Sequence, residues 1–264
     1  MSVYDGEKPS HLIQSFQSLV DQTVDIPEII LMIDGPISFS LKNIIIYYQK
    51  SLSIKVIQND VNLGLARSLN IGLNYATHEI IFRFDTDDIC VPTRFEIQLK
   101  AFINCDVDVL GGQILEFDNT VSDKSKTRLV PCDYLDILRR SKWRNPINHM
   151  TVAYKKTIIL KYGGYPNIKF MEDYALWIKL LVNNCKIINM PNVLVYARTG
   201  ENMIKRRGGI FYLISEFSLQ FYMFSLGFKN CFQALYHFFI RSIIFMLPYP
   251  IKNIFYHYVL RNQI

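Results

Sequence analysis

Apolar positions in the first hundred residues follow two periodicities in turn. Helical spacing begins behind Ser10, and short continuous apolar runs then alternate with further helical stretches. The apolar runs occupy residues 28–33, 54–57 and 79–84, and the helical stretches between them occupy residues 41–48 and 65–75. Continuous apolar runs are typical of strands buried on both faces. Strands that alternate with helices predict an α/β fold with a right-handed, mostly parallel central sheet flanked by helices.

The alternation continues less regularly toward residue 200. The predicted elements there are a helix after residue 94, a strand near residues 107–110, and a strand followed by a helix within residues 151–162. A glycine-rich loop follows at residues 163–166. The next helix has its apolar face at Tyr174, Trp177, Ile178, Leu181 and Val182. We therefore expect Glu172 and Asp173 to lie in the first turn of that helix.

The end of the chain differs from the rest in composition. From Lys205 onward there are seven Lys or Arg residues against one acid, Glu216, and 16 of the 36 aromatic residues lie between Phe211 and Tyr258. In this segment, an apolar helical face carries Phe232, Leu235, Phe239, Ile243 and Met246, and a polar face carries Gln233, His237 and Arg241. Such a segment is typical of a helix that lies in a membrane interface without crossing it.

A helical pair packed on the domain, or an oligomer interface, explains that pattern equally well. In either case the composition changes near residue 210. We therefore divide the chain into an α/β domain at residues 1–210 and a basic, aromatic-rich helical segment at residues 211–264.

Composition excludes several classes of protein. Hydrophobic residues make up 50% and charged residues 20% of the 264, which is typical of a globular protein and argues against disorder. The formal charge of +6 is too small to indicate nucleic-acid binding. Five scattered cysteines without a CxxC motif favour a reducing compartment. Because neither a signal peptide nor an apolar run of membrane-spanning length is present, we expect a cytoplasmic protein.

The most informative short motif is Phe84-Asp85-Thr86-Asp87-Asp88, in which three carboxylates directly follow an apolar strand. Crowded negative charges cost free energy unless a cation lies among them, and oxygen ligands suit Mg²⁺ or Mn²⁺. Such a metal can bridge the two phosphates of a nucleoside diphosphate and neutralise the charge of the leaving group.

Two other interpretations of this motif remain open. It could be an acidic loop that caps the next helix. It could also be the first motif of a phosphatase of the haloacid-dehalogenase type, with Asp85 as nucleophile and Asp87 as acid. That phosphatase would require a lysine and further acids downstream, which we do not identify.

Three further groups of residues are candidates for chemistry. Asp173, with Glu172 beside it, could remove a proton from an attacking hydroxyl, although acids in a first helical turn also favour the helix dipole. The loop at residues 62–70 opens a helix with backbone N–H groups and Arg67, which could meet a diphosphate. Arg206 and Arg207 could bind phosphate or anionic lipid, and a solvated basic loop explains them as well.

Five segments together resemble glycosyltransferase family 2 in their order and approximate spacing. They lie at residues 3–7, 28–35, 62–70, 85–88 and 172–177. More narrowly, the chain resembles the bacterial enzymes that build O-antigen, capsule and exopolysaccharide repeats, the amylovoran-type subgroup. The resemblance covers about residues 1–210. It implies a GT-A fold and an inverting, single-displacement transfer from a nucleotide sugar, usually a uridine diphosphate (UDP) sugar.

The resemblance also implies roles on the donor side of the site. The backbone near Tyr4 and the carboxylate of Asp34 would hold the base and ribose, with Arg67 near the nucleotide. Asp85 would contact the ribose or the donor sugar. Asp87 would ligate the metal, with Asp88 as a second candidate ligand.

On the acceptor side, the resemblance implies that Asp173 is the general base and that Glu172 contacts the acceptor. The chain departs from the family pattern in two places. Family members usually have several strand residues before Val3, so either the true start lies upstream of Met1 or the nucleotide pocket is weakened. The segment at residues 195–203 lacks the histidine often found there, and we assign no catalytic role to Arg198 or Thr199. His149 also lies in a stretch that resembles the subgroup, and a structural role explains it as well as an acceptor contact does.

The sequence therefore predicts a transferase that adds one sugar to a polyprenyl-diphosphate-linked oligosaccharide. We expect it to be peripheral, on the cytoplasmic face of the inner membrane, where the basic, aromatic segment would meet anionic headgroups. An inactive, membrane-bound partner subunit is a third interpretation, and it predicts no metal-dependent nucleotide binding.

Overall fold

The computed structural model describes residues 1–118, 120–121, 125–199 and 208–247. Its strands are β1 (Ser2–Val3), β2 (Ile29–Asp34), β3 (Ile54–Asn59), β4 (Ile80–Phe82), β5 (Ile89–Cys90), β6 (Val109–Phe117), β7 (Lys126–Arg128), β8 (Ala153–Lys155) and β9 (Ile187–Arg198). Its helices are α1 (Pro9–Val20), α2 (Phe39–Tyr48), α3 (Leu65–Tyr75), α4 (Arg94–Asn104), α5 (Tyr134–Ser141), α6 (Lys156–Lys161), α7 (Glu172–Val182), α8 (Ile210–Ser225) and α9 (Cys231–Met246). A 3₁₀ turn, His149–Thr151, precedes β8.

The strands form two hydrogen-bonded sheets. Strands β1, β2 and β3 pair in parallel, so that Asp34 and Asn59 lie opposite each other at the carboxyl end. The second sheet has the order β4-β8-β6-β9-β5, with β7 added to β6. In it β6 and β9 are parallel, whereas β8, β5 and β7 pair antiparallel. The α/β architecture is confirmed, and the parallel pairing is concentrated in its first half.

The strongest periodic segments are the ones whose bounds the sequence predicts. Helix α3 covers residues 65–75 as expected, and α7 begins at Glu172. The long strand β9 was not predicted, because its apolar run is interrupted by Asn189, Pro191 and Asn192. It forms because β6 offers a parallel partner over most of its length, with a bulge between Gly111 and Gln113.

Three apolar clusters hold the layers together. The first packs α1 and α2 on the parallel sheet, with Leu12, Phe16 and Leu31 fully buried. The second packs α3, α5, α6 and α7 around Trp177. The third joins Tyr174 and Ile178 of α7 to Leu219 and Met223 of α8. The last cluster attaches the C-terminal helices to the α/β body.

The C-terminal segment is helical, as its pattern predicts, up to Met246. Helix α9 begins with a capping box, in which the Asn230 side chain accepts from the Gln233 backbone and the Gln233 side chain accepts from the Asn230 backbone. Among the residues that the structure describes, no helix combines the length and apolarity needed to cross a membrane. All five cysteines are free thiols. Residues 248–264 lie outside the described residues.

Candidate active site

The carboxylate of Asp34 holds the loop that opens α3. It lies buried at the end of β2, and its two oxygens accept from the backbone N–H groups of Leu63 at 2.8 Å and Gly64 at 2.9 Å. Asn59 Nδ2 adds a third hydrogen bond at 3.0 Å. Asp34 therefore shapes the loop that carries Arg67. Its predicted contact with ribose stays a prediction, and the structure gives this carboxylate a set of protein partners that the sequence did not indicate.

Tyr4 and Arg67 border the same end of the parallel sheet. Tyr4 lies in the loop after β1 and is 45% exposed, while Arg67 is exposed in the first turn of α3. The loop after β1 is tied to the start of α2, because Asp5 Oδ1 accepts from the Ser38 backbone N–H at 2.8 Å. Tyr4 thus lies in a loop that Asp5 holds in place, and Arg67 lies in the helix turn that follows the loop held by Asp34.

Asp85 forms an ion pair with a residue that sequence reasoning missed. Arg83, buried at the end of β4, contacts the Asp85 carboxylate and the carbonyl oxygen of Phe84. Burial opposes ionisation of Asp85, but the Arg83 charge outweighs it and holds the pKa of Asp85 below its ordinary value. A cation inside an otherwise apolar strand was the signal in the sequence that could have identified Arg83.

Asp87 and Asp88 have unlike surroundings. Asp88 is buried, and its Oδ1 accepts from the Arg198 backbone N–H at 2.7 Å at the end of β9. Asp87 is partly exposed, and within the described residues its carboxylate accepts no hydrogen bond beyond one from its own backbone. Burial and the Asp85 and Glu7 charges raise the pKa of Asp87 to about 7. Burial and the Asp87 and Asp85 charges raise the pKa of Asp88 well above its ordinary value.

Glu7 brings the loop after β1 to this acidic cluster. Its Oε2 accepts from Thr86 Oγ1 at 2.8 Å, and its charge contributes to the raised pKa of Asp87. Among the described residues there is no group of three or more His, Cys, Asp or Glu side chains arranged around a metal position. The crowded oxygens fit a hard divalent cation bound by one or two carboxylates, since Mg²⁺ takes its remaining ligands from water and substrate phosphates.

The second acidic motif lies at the start of α7. Asp173 Oδ2 accepts from Asn145 Nδ2 at 2.6 Å. The Asn145 amide is oriented by its other end, because Asn145 Oδ1 accepts from the Ile147 backbone N–H at 3.2 Å. Burial and the Asp173 charge raise the pKa of Glu172 to about 7. Asn145 is therefore a further member of the site, four residues before His149, to which the sequence alone gave no role.

His149 lies within electrostatic range of both acidic motifs. Burial and the Arg83 charge lower its pKa to about 4, while Asp173 and Asp85 act in the opposite direction. It is neutral at physiological pH, and its Nε2 lies 3.0 Å from the Tyr165 hydroxyl. Because Asp85 and Asp173 both act on this one ring, the fold brings together two motifs that lie almost ninety residues apart in the sequence.

The glycine-rich loop before α7 is clamped to α3. Asn70 Oδ1 accepts from the Tyr165 backbone N–H at 2.8 Å, and Asn70 Nδ2 donates to the Tyr165 carbonyl oxygen at 2.9 Å. Gly164, at a φ of +70°, lies so close that a Cβ atom would be 2.3 Å from Asn70 Oδ1. The last residue of the 62–70 motif therefore fixes the loop that leads to Asp173.

The remaining candidates are structural or lie outside the described chain. Arg198 bonds to the Asp87 carbonyl oxygen at 3.0 Å through Nε and lies over the Phe117 ring, so it joins β9 to the acidic loop. The Thr199 hydroxyl donates to the Phe117 carbonyl oxygen. Arg206 and Arg207 lie outside the described residues.

Solved structures with the same architecture define the class of this protein. S. aureus TarS 1-349, solved with UDP-GlcNAc, superposes with a TM-score of 0.67 over 98% of this chain and 74% of its own, at 20% identity. A Pyrobaculum calidifontis mannosyltransferase, solved with GDP-Man and Mn²⁺, superposes with a TM-score of 0.60 over 98% of this chain and 84% of its own, at 13% identity. The fold is that of a GT-A glycosyltransferase.

The chain belongs to glycosyl transferase family 2, whose sequence profile matches residues 1–163. Curated relatives match it over nearly their whole length. A UDP-Gal:alpha-D-GlcNAc-diphosphoundecaprenol beta-1,3-galactosyltransferase of Escherichia coli is 36% identical over 99% of this chain and 95% of its own. The amylovoran biosynthesis glycosyltransferase AmsE of Erwinia amylovora is 34% identical over 97% and 96%. The protein is a glycosyltransferase, and the phosphatase interpretation of Asp85 and Asp87 is wrong.

Proposed function

We propose that this glycosyltransferase transfers a sugar from a UDP-sugar to a polyprenyl-diphosphate-linked saccharide, with inversion at the anomeric carbon. The observation that carries the proposal is the position of two acidic motifs around His149, one crowded and short of hydrogen-bond donors, the other at a helix start. The E. coli relative, which by its name uses UDP-Gal and a diphosphoundecaprenol-linked acceptor, supports both substrate classes. Our donor assignment also draws support from the UDP-GlcNAc in the TarS structure.

On the donor side, the loops after β1 and β2 would enclose the nucleotide. Tyr4 would contact the base, and the loop held by Asp34 would offer Arg67 and the N-terminal N–H groups of α3 to the nucleotide. Asp85, kept ionised by Arg83, would accept from a ribose or sugar hydroxyl. Asp34 would reach the ribose only if one of its loop contacts opens.

Asp87 is the carboxylate best placed to hold a divalent cation, with Asp88 behind it. Among the described residues no donor other than its own backbone reaches the Asp87 carboxylate, and Asp85 and Glu7 repel its charge, so it is an unfavourable anion by itself. A bound Mn²⁺ or Mg²⁺ would neutralise charge on the departing diphosphate. Asp88 is the weaker candidate, because one of its oxygens already accepts from Arg198.

Asp173 would act as general base on the acceptor. As the acceptor oxygen bonds to the anomeric carbon, the bond from that carbon to the diphosphate oxygen breaks, and the acceptor proton passes to the Asp173 carboxylate. Asn145 holds that carboxylate in one orientation. Glu172, whose pKa is raised to about 7, would keep a substantial protonated fraction near neutrality, and in that form could donate a hydrogen bond to an acceptor hydroxyl.

An acceptor of this class is anchored in a bilayer by its polyprenyl chain. We therefore propose that the enzyme works as a peripheral protein on the cytoplasmic face of the inner membrane, where nucleotide sugars are available. Its net charge of +6 favours an anionic membrane surface.

Calorimetric binding of UDP, with and without Mn²⁺, tests the donor assignment. We expect metal-dependent binding that is lost in Asp87→Ala and retained in Asp25→Asn, an exposed acid before the amino end of β2, at the opposite end of the parallel sheet. Turnover of UDP-galactose and UDP-N-acetylglucosamine on a GlcNAc-diphosphate-lipid acceptor then tests the reaction. Absence of metal-dependent UDP binding in the unmodified protein would contradict the proposal and favour the partner-subunit interpretation.

A further inference from the structure

Helices α8 and α9 form a helical hairpin, residues 210–246. Its charged side chains face the protein and its large apolar side chains face outward, the opposite of an ordinary surface helix. The rings of Tyr212 and Phe245 lie 4.8 Å apart, so the start of α8 lies beside the end of α9. The hairpin packs on the body through Leu219 and Met223. The inner side of the hairpin is polar and its outer side is apolar, and this arrangement involves both helices together.

The inner side of the hairpin contains its charges. Glu216 is fully buried and forms an ion pair with Arg241 at 3.0 Å, and Gln220 Nε2 donates to Glu216 at 2.7 Å. Lys229, 4% exposed, donates to Gln220 Oε1 at 2.8 Å and lies 3.2 Å from His237 Nδ1. These are the only Asp, Glu, Lys or Arg residues in the described stretch 208–247, and all of them are engaged with protein partners.

Two contacts connect this polar cluster to the body. Arg241 NH1 donates to the Trp143 carbonyl oxygen at 3.0 Å, and the His237 ring lies 4.2 Å from the Trp143 ring, centroid to centroid. His237 and Arg241 of the polar face of α9 are therefore directed at the protein, whereas Gln233 is exposed at the helix start.

The outer side of the hairpin is apolar along both helices. Its exposed large side chains are Ile210, Phe211, Ile214, Phe217, Phe221 and Phe224 on α8, and Phe232, Leu235, Tyr236, Phe239, Ile240, Ile243 and Met246 on α9. Phe232 is 85% exposed and Phe211 is 71% exposed. Soluble monomers rarely expose an apolar surface of this extent, because each such side chain in water forgoes the free energy that its burial would give.

A lipid surface fits this face better than a protein partner does. Protein interfaces combine an apolar centre with a polar rim and enriched arginine, whereas this face has no charged side chain among residues 208–247. Because the hairpin is antiparallel, the chain enters α8 and leaves α9 at the same end. In the sequence, Lys205, Arg206 and Arg207 precede the hairpin and Lys252 follows it, and a basic composition of this kind favours anionic headgroups.

The position of the hairpin relative to the site agrees with this partner. Helix α8 packs directly on α7, the helix that begins with Glu172 and Asp173. The apolar face thus lies one helix layer away from the acidic motif proposed to activate the acceptor.

We propose that the outer face of the helical hairpin binds the lipid surface of the membrane that contains the acceptor, with α8 and α9 lying flat in the interface. The proposal rests on the proposed function for the identity of the acceptor, and on the two helices alone for the binding surface. Flat insertion would hold α7, which begins with Glu172 and Asp173, one helix layer from the bilayer that contains the polyprenyl chain of the acceptor.

Flotation of the full chain with phosphatidylcholine vesicles, and with vesicles containing phosphatidylglycerol, tests the surface. We compare the unmodified protein with the double variant Phe221→Gln/Phe239→Gln, one change on each helix. The matched control is Phe39→Gln, a residue that is 78% exposed at the start of α2. We expect the double variant to lose at least about tenfold in vesicle affinity for both compositions, because two aromatic side chains no longer insert. The control should bind as the unmodified protein does.

Further measurements separate this proposal from its alternatives. UDP binding should be unchanged in the double variant, so that a failure of the donor assignment is detected independently of lipid binding. Sedimentation velocity without lipid reports self-association. Unchanged vesicle binding by the double variant would overturn the proposal, as would a stable dimer that dissociates in the double variant and does not bind vesicles. If the double variant unfolds, Phe232→Gln, at the most exposed of these positions, gives the same comparison with a smaller loss of affinity.

Discussion

Two loops in this molecule share a sequence signature, an apolar strand that ends in aspartate, but differ in what the protein does with the carboxylate. After β2, Asp34 accepts from two backbone N–H groups and the Asn59 amide. After β4, Asp87 stands beside Asp85, Asp88 and Glu7 with no such donors from other described residues. The first carboxylate is satisfied by donors of the fold. The second has no such donors among the described residues, and we propose that a ligand satisfies it.

The largest effect should follow from changing Asp87. We expect Asp87→Asn to lower kcat/KM by about 100-fold or more, because the charge that balances a bound cation is lost. Folding should be unaffected or slightly improved, since a repelled carboxylate is removed. Steady-state kinetics of the variant check the loss of kcat/KM, and its thermal unfolding checks the unchanged stability. A large loss of stability with normal kcat/KM would show that Asp87 supports the fold rather than a ligand, and would contradict the contrast with Asp34.

Asp34 should give the opposite result, with stability as the main loss. Asp34→Ala leaves the Leu63 and Gly64 N–H groups and the Asn59 amide without their acceptor, which we expect to cost about 2–4 kcal/mol. Denaturant unfolding measures this cost. Asp34→Asn keeps one oxygen, so its free energy of unfolding should lie between those of Asp34→Ala and the unmodified protein. If Asp34→Ala changes UDP affinity strongly at unchanged stability, then Asp34 is mainly a ligand residue.

The pH dependence of stability tests the second acidic motif through Glu172. Its pKa is raised from 4.5 to about 7, so the folded state favours the protonated form. Stability contributed by this group is present at low pH and is lost as pH rises through the range from 4.5 to about 7. Glu172→Gln should therefore gain roughly 1–3 kcal/mol relative to the unmodified protein between pH 5 and pH 8. Equal pH dependence of unfolding in the two proteins would contradict this prediction.

Asn145 should give the smallest effect. Asn145→Ala removes the donor that holds Asp173 Oδ2, and we expect kcat to fall by about three- to tenfold with little change in KM, because the carboxylate is free to turn. Asn145→Gln, if it reaches the same oxygen, should restore part of kcat. A loss of thermal stability with unchanged kcat would assign Asn145 a structural role only.

Local patterns were sufficient for the parallel half of the fold and for the identity of the acidic motifs. Helices α3 and α7 were predicted closely because their periodicity is strong and their starts coincide with glycine and acid positions. Strand β9 was missed because its formation depends on pairing with β6, more than seventy residues earlier in the chain. The Asn145–Asp173 hydrogen bond was missed for the same reason, since it depends on tertiary contact.

The difference between Asp34 and Asp87 could not have been predicted from sequence at all. Both follow apolar strands, and both could be carried over from a family resemblance. Only the positions of neighbouring donors distinguish them. The roles carried over to Tyr4, Arg67, Asp85 and Asp173 stay predictions that the experiments above test.

The third apolar cluster determines where this protein can be shortened. The compositional boundary at residue 210 is a natural place to trim the chain, but Leu219 and Met223 cover Tyr174 and Ile178 from the far side of that boundary. The Tyr174 hydroxyl in turn donates to the Ser141 carbonyl oxygen at 2.7 Å, four residues before Asn145. A chain ending at residue 210 would therefore expose the side of α7 that lies behind Glu172 and Asp173. Because the hairpin and the body share this buried cluster, we expect them to unfold together.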